Sequence, residues 1–182
     1  MALRLVTAPA AEPLDLELDA KPHLRVDFDD DDAYIGGLIT AVREHIEKTE
    51  ISSALITQTW ELVLDNWPGV ELRLPKPPLQ SVTSITYLDI DDNPAVTVDS
   101  SAYLVDADSW PGRIYLRDGQ SWPSVTLREI GGVVIRFVAG YGDADDVPAP
   151  IRQAMQLILS DWYENRENTL IMSGVGVLPP LP

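Results

Sequence analysis

At 182 residues the chain is long enough to bury one sizeable core, and its 45% hydrophobic and 23% charged residues exclude wholesale disorder. Acidic residues outnumber basic ones by 29 to 13, and the formal charge of -16 repels phosphate backbones and anionic lipid, which argues against tight nucleic-acid or membrane-surface binding. The absence of cysteine excludes disulfides, thiolate metal sites and thiol nucleophiles, and fits a reducing compartment.

The first residues, Met1-Ala-Leu-Arg-Leu-Val-Thr7, lack the long apolar core of a signal peptide. No later stretch approaches the roughly 18 apolar residues of a membrane span. The expectation is a chain neither exported by that route nor inserted. Residues 1–13 are rich in Ala and Pro and read as an extended arm. A short helix over about residues 19–25 is predicted next, with Asp19 as its N-cap and Pro22 inside the first turn.

The acidic run Asp29 to Asp32 leads into Ile35, Leu38, Ile39, Val42 and Ile46, one face of a helix over about residues 31–49. Carboxylates at its start and Arg43, His45 and Lys48 near its end suit the helix dipole. From Ile56 the period changes to two. Trp60, Leu62 and Leu64 alternate with polar or opposite-facing residues, then Val70, Leu72 and Leu74 do the same across a turn at Asn66-Trp67-Pro68-Gly69. The pattern predicts an antiparallel hairpin.

Ser84–Leu88, Tyr103–Val105, Arg113–Leu116 and Val133–Val138 are further strands, so about residues 56–138 form a β-rich insertion. In the last of them Val133, Ile135 and Phe137 share one side. Asp145 and Asp146 before Pro148 and Pro150 announce a second long helix over about residues 148–166, with an apolar stripe at Ile151, Ala154, Met155, Ile158 and Trp162. Trp162 and Tyr163 are assigned to core and helix–helix contact.

From Leu170 to Pro182 no residue is charged. Leu170, Ile171, Met172, Val175, Val177, Leu178 and Leu181 form an extended apolar tail that wants a partner, and thirteen residues at about 3.3 Å each span roughly 43 Å. The division is therefore an arm over 1–13, one domain over 14–168 and a tail over 169–182.

Candidate chemical sites are sparse. Asp27, Asp29 and Asp31 imitate the opening of a calcium loop, but Asp32 stands where that loop needs Gly and Leu38 where it needs a bidentate carboxylate, so a solvated acidic helix start is the better reading. Asp143, Asp145 and Asp146 are read as capping residues. His23 and His45 stand in no triad or metal spacing. Gly140-Tyr141-Gly142 matches no phosphate-binding spacing and is read as a tight turn. No catalytic residue, metal site or cofactor is assigned. Trp67, Trp110 and Trp122 each precede a proline; they are possible interface aromatics, or anchors for their own loops.

The order of several segments carries a resemblance. These are Leu18-Asp-Ala-Lys-Pro-His-Leu-Arg-Val-Asp27, Leu55-Ile-Thr-Gln-Thr-Trp-Glu-Leu-Val-Leu-Asp65, Leu74-Pro-Lys-Pro-Pro-Leu-Gln-Ser-Val82 and Gly119-Gln-Ser-Trp-Pro123. Val134-Ile-Arg-Phe-Val-Ala-Gly-Tyr-Gly142, Val147-Pro-Ala-Pro-Ile-Arg-Gln-Ala154 and Trp162-Tyr-Glu-Asn-Arg-Glu167 follow. Together, over about residues 14–168, they resemble the tailed-phage head-tail connector (adaptor, or head-completion) family.

The resemblance implies an α+β fold, a small helical bundle from both chain ends around an antiparallel β insertion. It implies a structural virion protein at the head-tail joint, assembled in the bacterial host cytoplasm and not an enzyme. Its implied partners are further copies in a ring, commonly of twelve, the portal protein above and a tail-completion or stopper protein below; DNA passes through the bore without tight binding, and no membrane is involved. Two other classes stay open on the residues alone. An aromatic-loop module for carbohydrate or peptide would place the Trp-Pro loops along an open groove, and a carboxylate hydrolase would need two facing acids in a deep pocket.

Overall fold

The computed structural model describes residues 1–91 and 94–166. The chain opens with strand β1 (Ala2–Thr7), so part of the segment expected as an extended arm before the domain forms the edge strand of a sheet. Helical structure then begins at Leu16, not at Asp19. Asp15 is the cap, its carboxylate accepting from the Glu17 and Leu18 amides at 2.8 and 2.9 Å, while the Asp15 amide donates to Asp19 at 2.8 Å. A π-helical turn, Leu16–Ala20, runs into α1 (Lys21–Leu24). Pro22 lacks an N–H and its ring would crowd the carbonyl four residues back; a wider turn directly before it relieves that crowding.

Helix α2 (Asp32–His45) continues into a second π-helical turn, Ile46–Glu50. Ile35, Ile39, Val42 and Ile46 are buried as the periodicity requires. Helix α3 (Ala149–Glu164) buries Met155 and Leu159 most deeply, so its buried stripe is rotated from the predicted one and Ala154 is exposed. These helices and Leu14, Ala20, Leu55, Ile56 and Val147 form one apolar cluster. Full burial of each large aliphatic side chain contributes roughly 1.5–3 kcal/mol.

The second cluster lies between two antiparallel sheets. β2 (Gln58–Leu64), β4 (Leu79–Tyr87), β5 (Val96–Thr97) and β8 (Val133–Ala139) join β1 in the order β1-β2-β8-β4-β5. β3 (Glu71–Arg73), β6 (Tyr103–Asp106) and β7 (Arg113–Leu116) form a smaller sheet in the order β3-β7-β6. Leu62, Ile135 and Phe137 of the first sheet pack with Leu74, Tyr103 and Ile114 on the side of the second.

The expected hairpin of β2 with β3 does not form. β2 has β1 on one edge and β8 on the other, with Leu62 opposite both Leu3 and Ile135, and β3 leaves to pair with β7. Alternation tells which face of a strand is buried but not which strand lies beside it, and here both edges of β2 are taken by distant segments. The fold is α+β, with a helical half built from both ends and a β half between.

Candidate functional site

Three arrangements define the surfaces that the fold offers. The first is an acidic corner where α1 meets α2. Lys21 is 5% exposed, and its ammonium donates to Glu17 at 3.1 Å and Asp29 at 2.8 Å and pairs with Asp32 at 2.9 Å. Its hydrogen bonds to Asp29 and Asp32 hold its pKa well above the ordinary lysine range, and the same contact depresses that of Asp29. The oxygens of Glu17, Asp29 and Asp32 lie close enough to hold a metal, yet an ammonium of the chain already occupies their midst.

Asp31 points elsewhere, accepting from the Tyr163 hydroxyl at 2.6 Å and Arg166 at 3.0 Å, so it ties α2 to α3. The Arg166 guanidinium also lies 4.5 Å from the centre of the Tyr34 ring. Asp27, Asp29 and Asp31 thus do not converge as a calcium loop. Nor is the run simply solvated, since two of the three are engaged in side-chain pairs. Asp143 and Asp146 do cap, but they close a 3-10 turn, Ala144–Asp146, ahead of α3.

The second arrangement joins the two halves. Glu47, 5% exposed, accepts from Arg43 at 3.1 Å, the Leu55 amide at 2.8 Å and Gln58 Nε2 at 2.7 Å, while Lys76 donates to its backbone carbonyl at 2.8 Å. Arg43 reaches onward to Glu12 at 2.7 Å. Arg43 is therefore buried structure and not a surface charge placed for the helix dipole. The i,i+4 spacing of Arg43 and Glu47 was the available signal for this network; nothing in their own segment announces Glu12, Gln58 or Lys76.

The third concerns the aromatic loops and the outer sheet face. Trp67 stacks on Trp122 at 5.3 Å with planes 4° apart and meets Tyr87 at 5.3 Å; Trp122 Nε1 donates to the Gly69 carbonyl at 3.3 Å. These rings pin two loops to one another. Trp110 stands apart from them near Tyr141 and is 59% exposed. Two open grooves of about 550 and 570 Å³ are lined by other residues, the first by Ile90, Arg128, Glu129 and Ile130, the second along Leu14, Leu18, Ile39 and an acidic rim of Glu12, Asp15 and Asp145. On the outer sheet face Glu61 takes Arg4 at 2.5 Å and Arg136 at 2.6 Å, and these guanidiniums, Arg136 foremost, hold its carboxyl below the usual range.

Residues 16–72 match the family described as phage gp6-like head-tail connector protein. Along almost the whole chain the fold is similar to a subunit in the neck of an empty gene transfer agent (GTA) particle, computed with C6 symmetry: 27% identity, TM-score 0.79, 97% of this chain and 89% of that one. A chain of the native GTA virion matches at 26% identity and TM-score 0.77, covering 98% and 90%. A third, from the native GTA neck computed with C12 symmetry, matches at 25% identity and TM-score 0.66, covering 98% and 89%. These matches support a structural connector role for the chain in a phage-like particle.

No curated protein sequence matches the connector. Its role is structural, at the joint of head and tail in a phage-like particle. Trp162 and Tyr163 fall where expected, between helices: Trp162 lies 5.5 Å from His45 and Tyr163 lies 6.1 Å from Tyr34. The apolar tail residues Leu170, Ile171, Met172, Val175, Val177, Leu178 and Leu181 lie outside the described residues. No helix among the described residues is long and apolar enough to cross a membrane.

Proposed function

We propose that the connector acts as a closed homo-oligomeric ring, of twelve copies, between the portal protein of the head and a tail-completion or stopper protein. DNA passes through its bore during ejection. The supporting observation is the near-complete overlap with chains of two particle necks, one computed with sixfold symmetry at TM-score 0.79 and one with twelvefold symmetry at TM-score 0.66. The role calls for fitted surfaces and no bond-breaking chemistry, so the connector is read as a non-enzyme without metal or cofactor, assembled in the host cytoplasm. Its charge of -16 per copy suits a bore along which anionic DNA slides without sticking.

The exposed Trp110 is assigned to an interface, while Trp67 and Trp122 hold their loops together. The tail from Leu170 onward docks on the portal or an adjacent subunit, since an uncharged apolar stretch has its best use against a partner. Electron microscopy of particles made without the connector tests the function: separate heads and tails are expected, and joined, infectious particles would overturn it. A chain ending at Thr169 is expected to fold but to lose occupancy on heads, read by the fraction of heads carrying a neck.

A further inference from the structure

Among the described residues no element packs on the outer face of the five-stranded sheet. Arg4, Glu61, Arg136 and Ser84 lie opposite one another across four strands, and Val63, Val134 and Thr86 form the next row. Val138 lies on the other side of the charged row, opposite Thr59 and Ser81. None of these residues belongs to either hydrophobic cluster, although the three valines are only half-buried. The face is a shallow floor of Val, Thr and Ser around one charged group, Arg4–Glu61–Arg136, which is net positive on a chain of -16. Side chains of Arg4 and Arg136 are 62% and 46% exposed, and each keeps N–H donors without an acceptor among the described residues.

The same chain presents a counterpart in the loop between α1 and α2. Asp27 and Asp30 are exposed and have no partner among the described residues. Between them Phe28 is 46% exposed, whereas the other phenylalanine of the chain, Phe137, is fully buried. A phenyl ring held in water between two free carboxylates fits an apolar floor bordered by guanidiniums.

We propose that the Asp27-Phe28-Asp30 knob of one copy seats on the open sheet face of the next copy. Phe28 lies against Val63 and Val134, and Asp27 and Asp30 take the spare donors of Arg4 and Arg136. The inference rests on the ring reading above and says which surfaces close the ring. Knob and floor are different patches, so the contact is heterologous and repeats head to tail, the kind that closes into a cycle when the rotation per subunit allows. Nucleic acid is the weaker occupant, because Glu61 cancels one of the two arginines and the rest of the floor is uncharged.

The chain has no cysteine, so introduced thiols report without background. The full chain carrying Asp30→Cys and Ser84→Cys together is assembled into particles, treated with a short bis-maleimide and run on a denaturing gel. Expected is a ladder of covalent multimers with the double variant and none with either single variant. Necks visible by microscopy but no ladder, or a ladder from a single variant, would overturn the proposal. Ser84→Cys labelled in empty particles and protected in DNA-filled ones, with no ladder, would assign the face to nucleic acid and overturn it too. Absence of any ring by microscopy would instead sink the ring reading, and this inference with it. As a second variant, Asp30→Arg on the exposed loop should leave the melting temperature unchanged and abolish neck occupancy; unchanged occupancy would count against the knob.

Discussion

Glu47 is the side chain on which most of the polar interior converges. Its carboxylate serves Arg43, Gln58 and the Leu55 amide at once, so truncation strands three buried groups. Removing one member of such a buried set costs about 3–5 kcal/mol. Glu47→Ala is expected to lower the urea midpoint accordingly, with Glu47→Gln falling between it and the parent. Glu61 makes a different prediction, through pH. Folding lowers its pKa below the ordinary 4.5, so its pairing with Arg136 and Arg4 stabilises the protein above that value and is lost as pH falls through the folded value. Glu61→Gln should therefore melt lower than the parent at pH 7, with the gap closing below about pH 4.5; melting curves across that range check it.

Among the elements, β1 does more than its Ala- and Pro-rich surroundings announce. It covers one edge of β2, supplies Leu3 opposite Leu62 and brings Arg4 to Glu61. Deleting residues 1–7 is expected to cost at least about 2 kcal/mol and to promote aggregation through the bared edge, read by thermal unfolding with light scattering. Helix positions were legible in sequence because Ile35, Ile39, Val42 and Ile46 keep their period within one segment. Arg113–Leu116 was found to the residue, and β8 with its buried side at Val133, Ile135 and Phe137 to within one residue. Strand partners were not legible: β2 looks the same in sequence whether it meets β3 or β8, and that choice is made by contacts some 75 residues apart, such as Glu61 with Arg136. The Lys21 clamp was hidden for a related reason, since an acidic run gives no sign of an ammonium folded back into it.

For the molecule as a whole, two apolar clusters are bound by a charged joint at Arg43, Glu47, Gln58 and Lys76. Such a joint couples the halves, and the connector is expected to unfold in one step. Helical circular dichroism at the α half and fluorescence dominated by Trp60, Trp67, Trp110 and Trp122 of the β half should give coincident transitions. Separation of the two curves in Glu47→Ala, but not in the parent, would identify the joint as the source of the coupling. The tail was recognised only by its composition, which tells that it is apolar and uncharged but not what it meets.

The strand order has a consequence for synthesis. β8, residues 133–139, is the last strand made among the described residues, yet it sits in the middle of the larger sheet, between β2 and β4. On the ribosome the nascent chain can pair β3, β6 and β7 early, but β2 and β4 stay unlinked until about three quarters of the polypeptide has emerged. Products terminated before β8 therefore lack a finished sheet and cannot compete with complete copies for a place in the particle.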